Sequence, residues 1–391
     1  MVYRPTALVI MGTRPEAIKL SPVVRSLKLG RALAPIVCAT AQHRGLLDRA
    51  LQNFQHKPHI DLNLMRDGQT PQGFAAAALD RVTRVVQDVA PAVTVVQGDT
   101  TTAAIGALAS FYAGVPVAHV EAGLRTGDLR APFPEEGHRR IIAAIAALHF
   151  APSDRARLNL VETGVLPDRV VLSGNTGIDS LMEMSAAIDR SPMLRSRLKR
   201  RFPYLDRRRP LVVVTAHRRE NLGEPLKRIC AAISQIAERA GADFVIPVHP
   251  NPEAARLMRA ELAGALNAHL TEPLRYSEIV WLLRQARLVL TDSGGLQEEA
   301  ATMGVPVLIL REATERQEVV EAGLGALVGS DPKAIGGTTL AILRDPALHA
   351  AMARATPLYG CGTAAPIIAR VLGERFGMPV RAQMAEYSVA A

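Results

Sequence analysis

The chain has 391 residues, 48% of them hydrophobic, and a formal net charge of +9. That length supports two domain cores rather than one, and no apolar run reaches the roughly 18 to 20 uncharged residues a membrane helix requires. Cys38, Cys230 and Cys361 lie far apart and outside any Cys-x-x-Cys spacing, which argues against a disulfide framework or a zinc site.

The first segment, "MVYRPTALVIMGTRPEAIK", reads as a strand entering a helix and not as a cleavable leader, so a cytoplasmic location is expected. From there, Val- and Ile-rich runs alternate with longer segments of helical period. The runs are "TALVIMG", "PIVCAT", "AVTVVQG", "VPVAHVE", "LHFAPS", "LVVVTAH", "DFVIPVH", "LVLTDSGG" and "VPVLILR". Such a rhythm predicts parallel, doubly wound sheets. It occurs in two sets, separated by a polar, Arg-rich region at about residues 174 to 210. The expected fold is therefore α/β, with two Rossmann-like domains facing a cleft. The first spans 1–172 and the second 173–365, and a C-terminal helix over 366–391 is expected to pack back on the first.

In open parallel sheets, ligands sit outside the carboxyl ends of the strands. Asp99, Glu121, His217, His249 and Asp292 all fall at or just past such an end, which would explain acids at the tips of otherwise apolar strands. Much of the positive charge lies in "LRSRLKRRF" and "DRRRP", which carry no interleaved aromatics, and aromatics are only 4% of the chain. This pattern fits a solvated basic surface or an anionic small substrate better than base stacking on nucleic acid.

Two strand-to-helix turns are suited to phosphate. "LVLTDSGGLQEEA" passes through Ser293, Gly294 and Gly295 into a helix start whose N–H groups can cradle a diphosphate. "MGTRPEAIKLSP" sets Arg14 and Lys19 around a proline that can open a helix. Neither GxGxxG nor a Walker A sequence occurs, which disfavours a nicotinamide enzyme and a P-loop ATPase. Glu135 and Glu136 open another helix, where the dipole alone would account for them.

Taken in order, "GTRPEAIK", "TAQHR", "QGDTTT", "HVEAGLRTGD", "PFPEE", "LHFAPS", "GNTGIDSL", "VTAHRREN", "PVHPNP", "TDSGGLQEEA" and "TERQE" cover nearly the whole chain. With these motifs the sequence resembles the non-hydrolysing UDP-N-acetylglucosamine 2-epimerases. The resemblance implies a two-Rossmann-domain architecture of the glycosyltransferase B type, a homodimer, a UDP-sugar substrate, and no cofactor or metal. It also implies a role in supplying cell-envelope polysaccharide precursors. Carried over by motif, Ser293, Gly294 and Gly295 would cradle the diphosphate, Glu299 would bind the ribose, and Arg14 would reach the phosphates. His217, His249 and Arg316 would complete the nucleotide side, with His217 also counted among the catalytic groups. Asp99, Glu121 and Glu135 would be the acid and base groups, supported by Lys19. Gln42, His43 and Gln69 match residues that bind an activating second UDP-N-acetylglucosamine in bacterial members.

Several positions depart from the family pattern. His138-Arg139 stands where Asn-Arg is usual, Ala301 replaces a proline, "REATERQE" carries Glu312, Ala313 and Gln317, and Cys361 replaces an aspartate. Two alternatives follow: a hydrolysing epimerase that releases N-acetylmannosamine and UDP, and a nucleotide-sugar-binding paralogue without turnover.

Overall fold

The computed structural model describes residues 4–42, 44–54, 56–66, 68–205, 208–249 and 251–377. The chain divides into two units. The first comprises residues up to Ser180 together with those from Tyr359 onward, and the second comprises Leu181–Leu358.

The first unit holds seven strands: β1 (Thr6–Met11), β2 (Ala34–Ala39), β3 (Ile60–Asp61), β4 (Val93–Gln97), β5 (Val117–Val120), β6 (Leu148–Ala151) and β7 (Val170–Leu172). They form one sheet in the order β3-β2-β1-β4-β5-β6-β7, with every pair parallel. Parallel strands are joined by helical crossovers that cover both faces, which is why their central members are apolar throughout. Alternation along β1 makes this concrete. Ala7, Val9 and Met11 pack with Leu20, Val24 and Leu27 of the helix Arg14–Gly30, whereas Leu8 and Ile10 pack on the other face with Val82 and Val86 of the helix Pro71–Val89.

The helix Ala364–Phe376 returns to this unit and buries Ala365, Ile368 and Leu372 in the same cluster as Leu20 and Val24. Asp179 caps it, accepting from the backbone N–H groups of Ala364 at 3.2 Å and Ala365 at 2.8 Å. The segment 173–180, assigned from sequence to the second domain, is tied to the first unit for local reasons. Asn175 N–H donates to the Tyr359 carbonyl at 2.7 Å, and the Ser180 hydroxyl donates to the Ile18 carbonyl at 2.6 Å. The expected extension of the C-terminal helix beyond residue 377 lies outside the described residues.

The second unit holds β8 (Leu211–Thr215), β9 (Asp243–Pro247), β10 (Ala268–Thr271), β11 (Ala286–Thr291), β12 (Val307–Ile309) and β13 (Gly325–Leu327). Their order is β10-β9-β8-β11-β12-β13, again all parallel. Val212 and Val214 face one apolar cluster, with Ile229 and Ile233 of the helix Glu224–Ala237. Val213 faces another, with Leu282 and Leu283. In each sheet the strand order reverses once, between β1 and β4 in the first and between β8 and β11 in the second. These are the switch points at which doubly wound sheets open a crevice for ligands. Among the described residues no helix is long and apolar enough to cross a membrane.

Candidate active-site residues

At the first switch point, β1 runs into Gly12, Thr13 and Arg14, and β4 runs into Gly98, Asp99 and Thr100. Gly12 is required by close approach, because a Cβ there would lie 2.2 Å from Thr40 Oγ1 and 2.3 Å from Thr102 Oγ1. Arg14 is half-buried and opens the helix Arg14–Gly30. Asp99 accepts from Arg139 Nε at 2.8 Å and lies 2.7 Å from Arg139 Nη2, a two-nitrogen grip on one carboxylate oxygen. Its side chain keeps 29% of its surface exposed, while that of Arg139 keeps only 5%. His138, at a position where the family pattern has asparagine, donates from Nδ1 to the Asp99 carbonyl at 2.8 Å.

Glu121 directly follows β5, the strand beside β4. Its φ of 60° lies in the left-handed region that a non-glycine residue adopts only when its surroundings hold it there. Both carboxylate oxygens are engaged. Oε1 lies 2.5 Å from Lys19 Nζ and accepts from Asn175 Nδ2 at 3.0 Å, and Oε2 accepts from Gln97 Nε2. Lys19 is thus the counter-ion of Glu121, in a buried pair whose lone pairs are further satisfied by two amides. Glu135 is the first residue of the helix Glu135–Ile145 and is half-buried. Its neighbour Glu136 is fully buried between Arg139 and Arg140, both at 3.2 Å, so it belongs to the scaffold that holds Arg139.

Two of the three residues matched to an activator site are described, each with a partner of its own. Gln42 accepts from the Thr102 N–H at 3.3 Å and the Thr102 hydroxyl at 3.0 Å, at the start of the helix Thr101–Tyr112. Gln69 closes a local turn by accepting from Arg66 N–H at 3.1 Å. His43 lies outside the described residues.

At the second switch point, β8 leads to His217 and β11 leads to Asp292 and Ser293. Asp292 is fully buried. Burial pushes its carboxyl upward, but His217 Nδ1 at 3.1 Å, the Arg218 N–H and the Asn221 amide outweigh that and bring it down to about 2. The same carboxylate accepts from His217 N–H at 2.7 Å, so it fixes the backbone that carries the His217 ring. His249 Nδ1 accepts from Asn251 N–H at 2.9 Å, which leaves Nε2 as the donor to the His217 carbonyl at 3.1 Å.

Ser293 is the N-cap of the helix Gly294–Met303, yet its side chain makes no capping hydrogen bond. Thr100, Ser153 and Asn251 all cap their helices through the side chain. Ser293 therefore leaves the first amides of this helix for another acceptor; the helices that follow Pro134 and Gly223 likewise have no side-chain cap at that residue. A Cβ on Gly294 would lie 2.7 Å from the Arg316 guanidinium, whereas one on Gly295 would meet nothing within 4 Å. Arg316 is buried and donates to Glu298 at 2.8 Å, with Glu315 at 3.5 Å. Arg311 extends this chain of charges, donating to Glu315 at 2.8 Å and Glu220 at 2.6 Å. Glu299 accepts from the Tyr276 hydroxyl at 3.0 Å.

Of the positions that depart from the family pattern, Glu312, Ala313, Gln317 and Cys361 are exposed, and Ala301 is buried. Sequence reasoning missed Glu16, Gln97, Arg139, Asn175, Arg311 and Glu315. Gln97, Arg139, Asn175 and Arg311 are defined by a partner distant in sequence, whereas Glu315 pairs with nearby Arg311 and Arg316 inside a charged run that gives no single residue away. Glu16, three residues after Thr13, leaves a visible capping signal.

A family model described as UDP-N-acetylglucosamine 2-epimerase matches residues 25–373. The chain is 44% identical to the probable UDP-N-acetylglucosamine 2-epimerase of Ralstonia nicotianae, over 94% of this chain and 99% of that one. It is 41% identical to the UDP-N-acetylglucosamine 2-epimerase of Yersinia pestis, over 93% and 97%. The crystal structure of UDP-GlcNAc 2-epimerase from Neisseria meningitidis bound to UDP-GlcNAc superposes with a TM-score of 0.92 at 38% identity, covering 95% of this chain and all of that one.

Proposed function

We propose, from the premise that this chain belongs to the UDP-N-acetylglucosamine 2-epimerase family, that it interconverts UDP-N-acetylglucosamine and UDP-N-acetylmannosamine by eliminating and re-adding UDP. In this route a base removes the C2 proton as the C1–O bond to UDP breaks, giving 2-acetamidoglucal. UDP then re-forms the C1–O bond while a proton is returned to the other face of C2. The two half-reactions balance without electron transfer.

The observation that carries this reading is the uncapped start of the helix Gly294–Met303, with open space at Gly295 and Arg316 against Gly294. A departing diphosphate needs such donors and a cation, already oriented before charge develops. Arg14 is assigned to the phosphates as well, and His217, His249 and Glu299 to the remainder of the nucleotide. Proton transfer at C2 is assigned to Asp99, Glu121 and Glu135. Among these, Asp99 is partly exposed and held in one orientation by Arg139, which suits a group that exchanges its proton with water. Glu121, locked on Lys19 and two amides, suits a fixed electrostatic role beside it. A homodimer belongs to the same reading, and light scattering checks it.

The test is product analysis by nuclear magnetic resonance after incubation with UDP-N-acetylglucosamine in deuterated water. UDP-N-acetylmannosamine carrying deuterium at C2 is expected. Stoichiometric free N-acetylmannosamine with UDP would replace the proposal by the hydrolysing reaction, and UDP binding without turnover would replace it by the binding paralogue.

A further inference from the structure

Glu16 is fully buried and carries no ion pair among the described residues. A carboxylate in that position is costly unless hydrogen bonds compensate it, and here they come from two separate loops. Oε2 accepts from the Gly12 N–H at 2.8 Å, the Thr13 N–H at 2.7 Å and the Thr13 hydroxyl at 2.8 Å. Oε1 takes the Thr100 hydroxyl at 2.6 Å, across a sequence separation of 84 residues. An ordinary capping box needs only the first of these loops, because the glutamate at its third position reaches back to the N-cap amide and its other oxygen faces water.

The second oxygen is what distinguishes this site. Thr100 uses its hydroxyl oxygen to accept from Ala103 N–H at 3.0 Å, capping the helix Thr101–Tyr112, so its proton is available to Glu16. The residue before Thr100 is Asp99, and the residue after Thr13 is Arg14. One carboxylate therefore joins the turn that presents the arginine to the turn that presents the acid.

We propose that Glu16 is a positioning residue for the reaction, setting Arg14 and Asp99 in register with each other through the Thr13 and Thr100 loops. This rests on the roles assigned to Arg14 and Asp99 under the proposed function. Those two groups must act in the same step, on the leaving diphosphate and on C2, so a small relative displacement lowers the rate of the step more than the binding of substrate.

The experiment compares wild type with Glu16→Ala, Glu16→Gln, Thr100→Ala and the double variant Glu16→Ala/Thr100→Ala. It measures kcat and KM for UDP-N-acetylglucosamine, C2 deuterium exchange and Tm. Glu16→Ala and Thr100→Ala should each lower kcat and exchange at least tenfold with KM changing less than threefold, and the double variant should be no slower than the slower single one. Glu16→Gln keeps an oxygen for the Gly12 and Thr13 donors, and its amide N–H can donate to the second lone pair of the Thr100 hydroxyl oxygen once that hydroxyl turns its proton away, so it should recover most of the lost rate. If Glu16→Ala and Thr100→Ala lower Tm while kcat stays within twofold of wild type, the residue serves the fold alone and the proposal is overturned. Independent, multiplicative losses in the double variant would also overturn it. Should Glu16→Ala fail to fold, Thr100→Ala and Glu16→Gln carry the same comparison. Wild-type turnover is the reference, so failure of the functional reading itself appears as an inactive wild type.

Discussion

Asp99 and Arg139 form the pair on which the proposed proton transfer depends most directly. The two nitrogens of Arg139 on a single oxygen hold the carboxylate in one orientation, while its partial exposure keeps it in contact with water. Asp99→Asn retains size and hydrogen-bonding capacity, and Arg139 remains paired with Glu136 at 3.2 Å, so the variant should fold. Turnover and C2 exchange should fall by about 100-fold, the scale for losing an acid–base group, with UDP affinity unchanged. A destabilised variant with normal exchange would make Asp99 architectural and shift the chemistry to Glu135. The sequence revealed Asp99 and Glu121 because an acid closing an apolar strand is conspicuous. It did not reveal Gln97, Arg139 or Asn175, because their roles exist only through contacts made across the fold. Asn175, for instance, reaches Glu121 from 54 residues away.

Elements show the same division. The nine strands read from apolar runs are all strands in the structure, and the four not anticipated, β3, β7, β10 and β13, are the four sheet edges. An edge strand is covered less completely, so it needs no continuous apolar run and leaves no such signature: β7 is half-buried or exposed along its length, whereas β4 is buried throughout. Central strands can instead bury groups that dislike it. His119 on β5 and His149 on β6 are register partners with ring centroids 6.4 Å apart. Burial lowers His119 from 6.5 to about 4 and His149 from 6.5 to about 3. Between pH 6.5 and these values the unfolded chain binds more protons than the folded one, so stability is full above 6.5 and falls as the solution is acidified. The two together should remove on the order of 5 kcal/mol by pH 4. Denaturant titrations at pH 7.5, 5.5 and 4.5 would show it, and a midpoint that does not move over that range would count against a neutral buried pair.

The start of the helix Gly294–Met303 offers a second test at this scale. Gly294→Ala forces its methyl group onto a guanidinium already pinned by Glu298, so both Tm and UDP affinity should drop. Gly295→Ala enters open space and should spare Tm, lowering UDP affinity at least tenfold only if phosphates approach that backbone. Equal UDP affinity in wild type and Gly295→Ala would move the diphosphate elsewhere.

At the scale of the molecule, each unit has its own sheet and apolar clusters, and cores that are separate in this way can melt separately. If the nucleotide is held chiefly by residues of the second unit, UDP should raise the transition belonging to that unit. The gain is about 2.7 kcal/mol at a hundredfold excess over Kd. Calorimetry of wild type and of a variant weakened in the first unit, such as Leu20→Ala, would assign the transitions. A UDP shift confined to the one that Leu20→Ala lowers would place the main nucleotide contacts on the first unit.

The return of the helix Ala364–Phe376 to the first unit has a consequence for how the protein is made. Translation delivers β1 to β7 early, but the apolar cluster that joins them to the helix Arg14–Gly30 is not closed by Ile368 and Leu372 until the whole of Leu181–Leu358 has been synthesised. At about 5–20 residues per second that is a delay of roughly ten to forty seconds. During it the nascent chain presents an oily strip along the helix Arg14–Gly30. Ribosome-bound chains arrested before Ala364 should therefore recruit chaperones and be clipped by protease within that helix. Chains arrested far enough downstream for Phe376 to have left the exit tunnel should resist both.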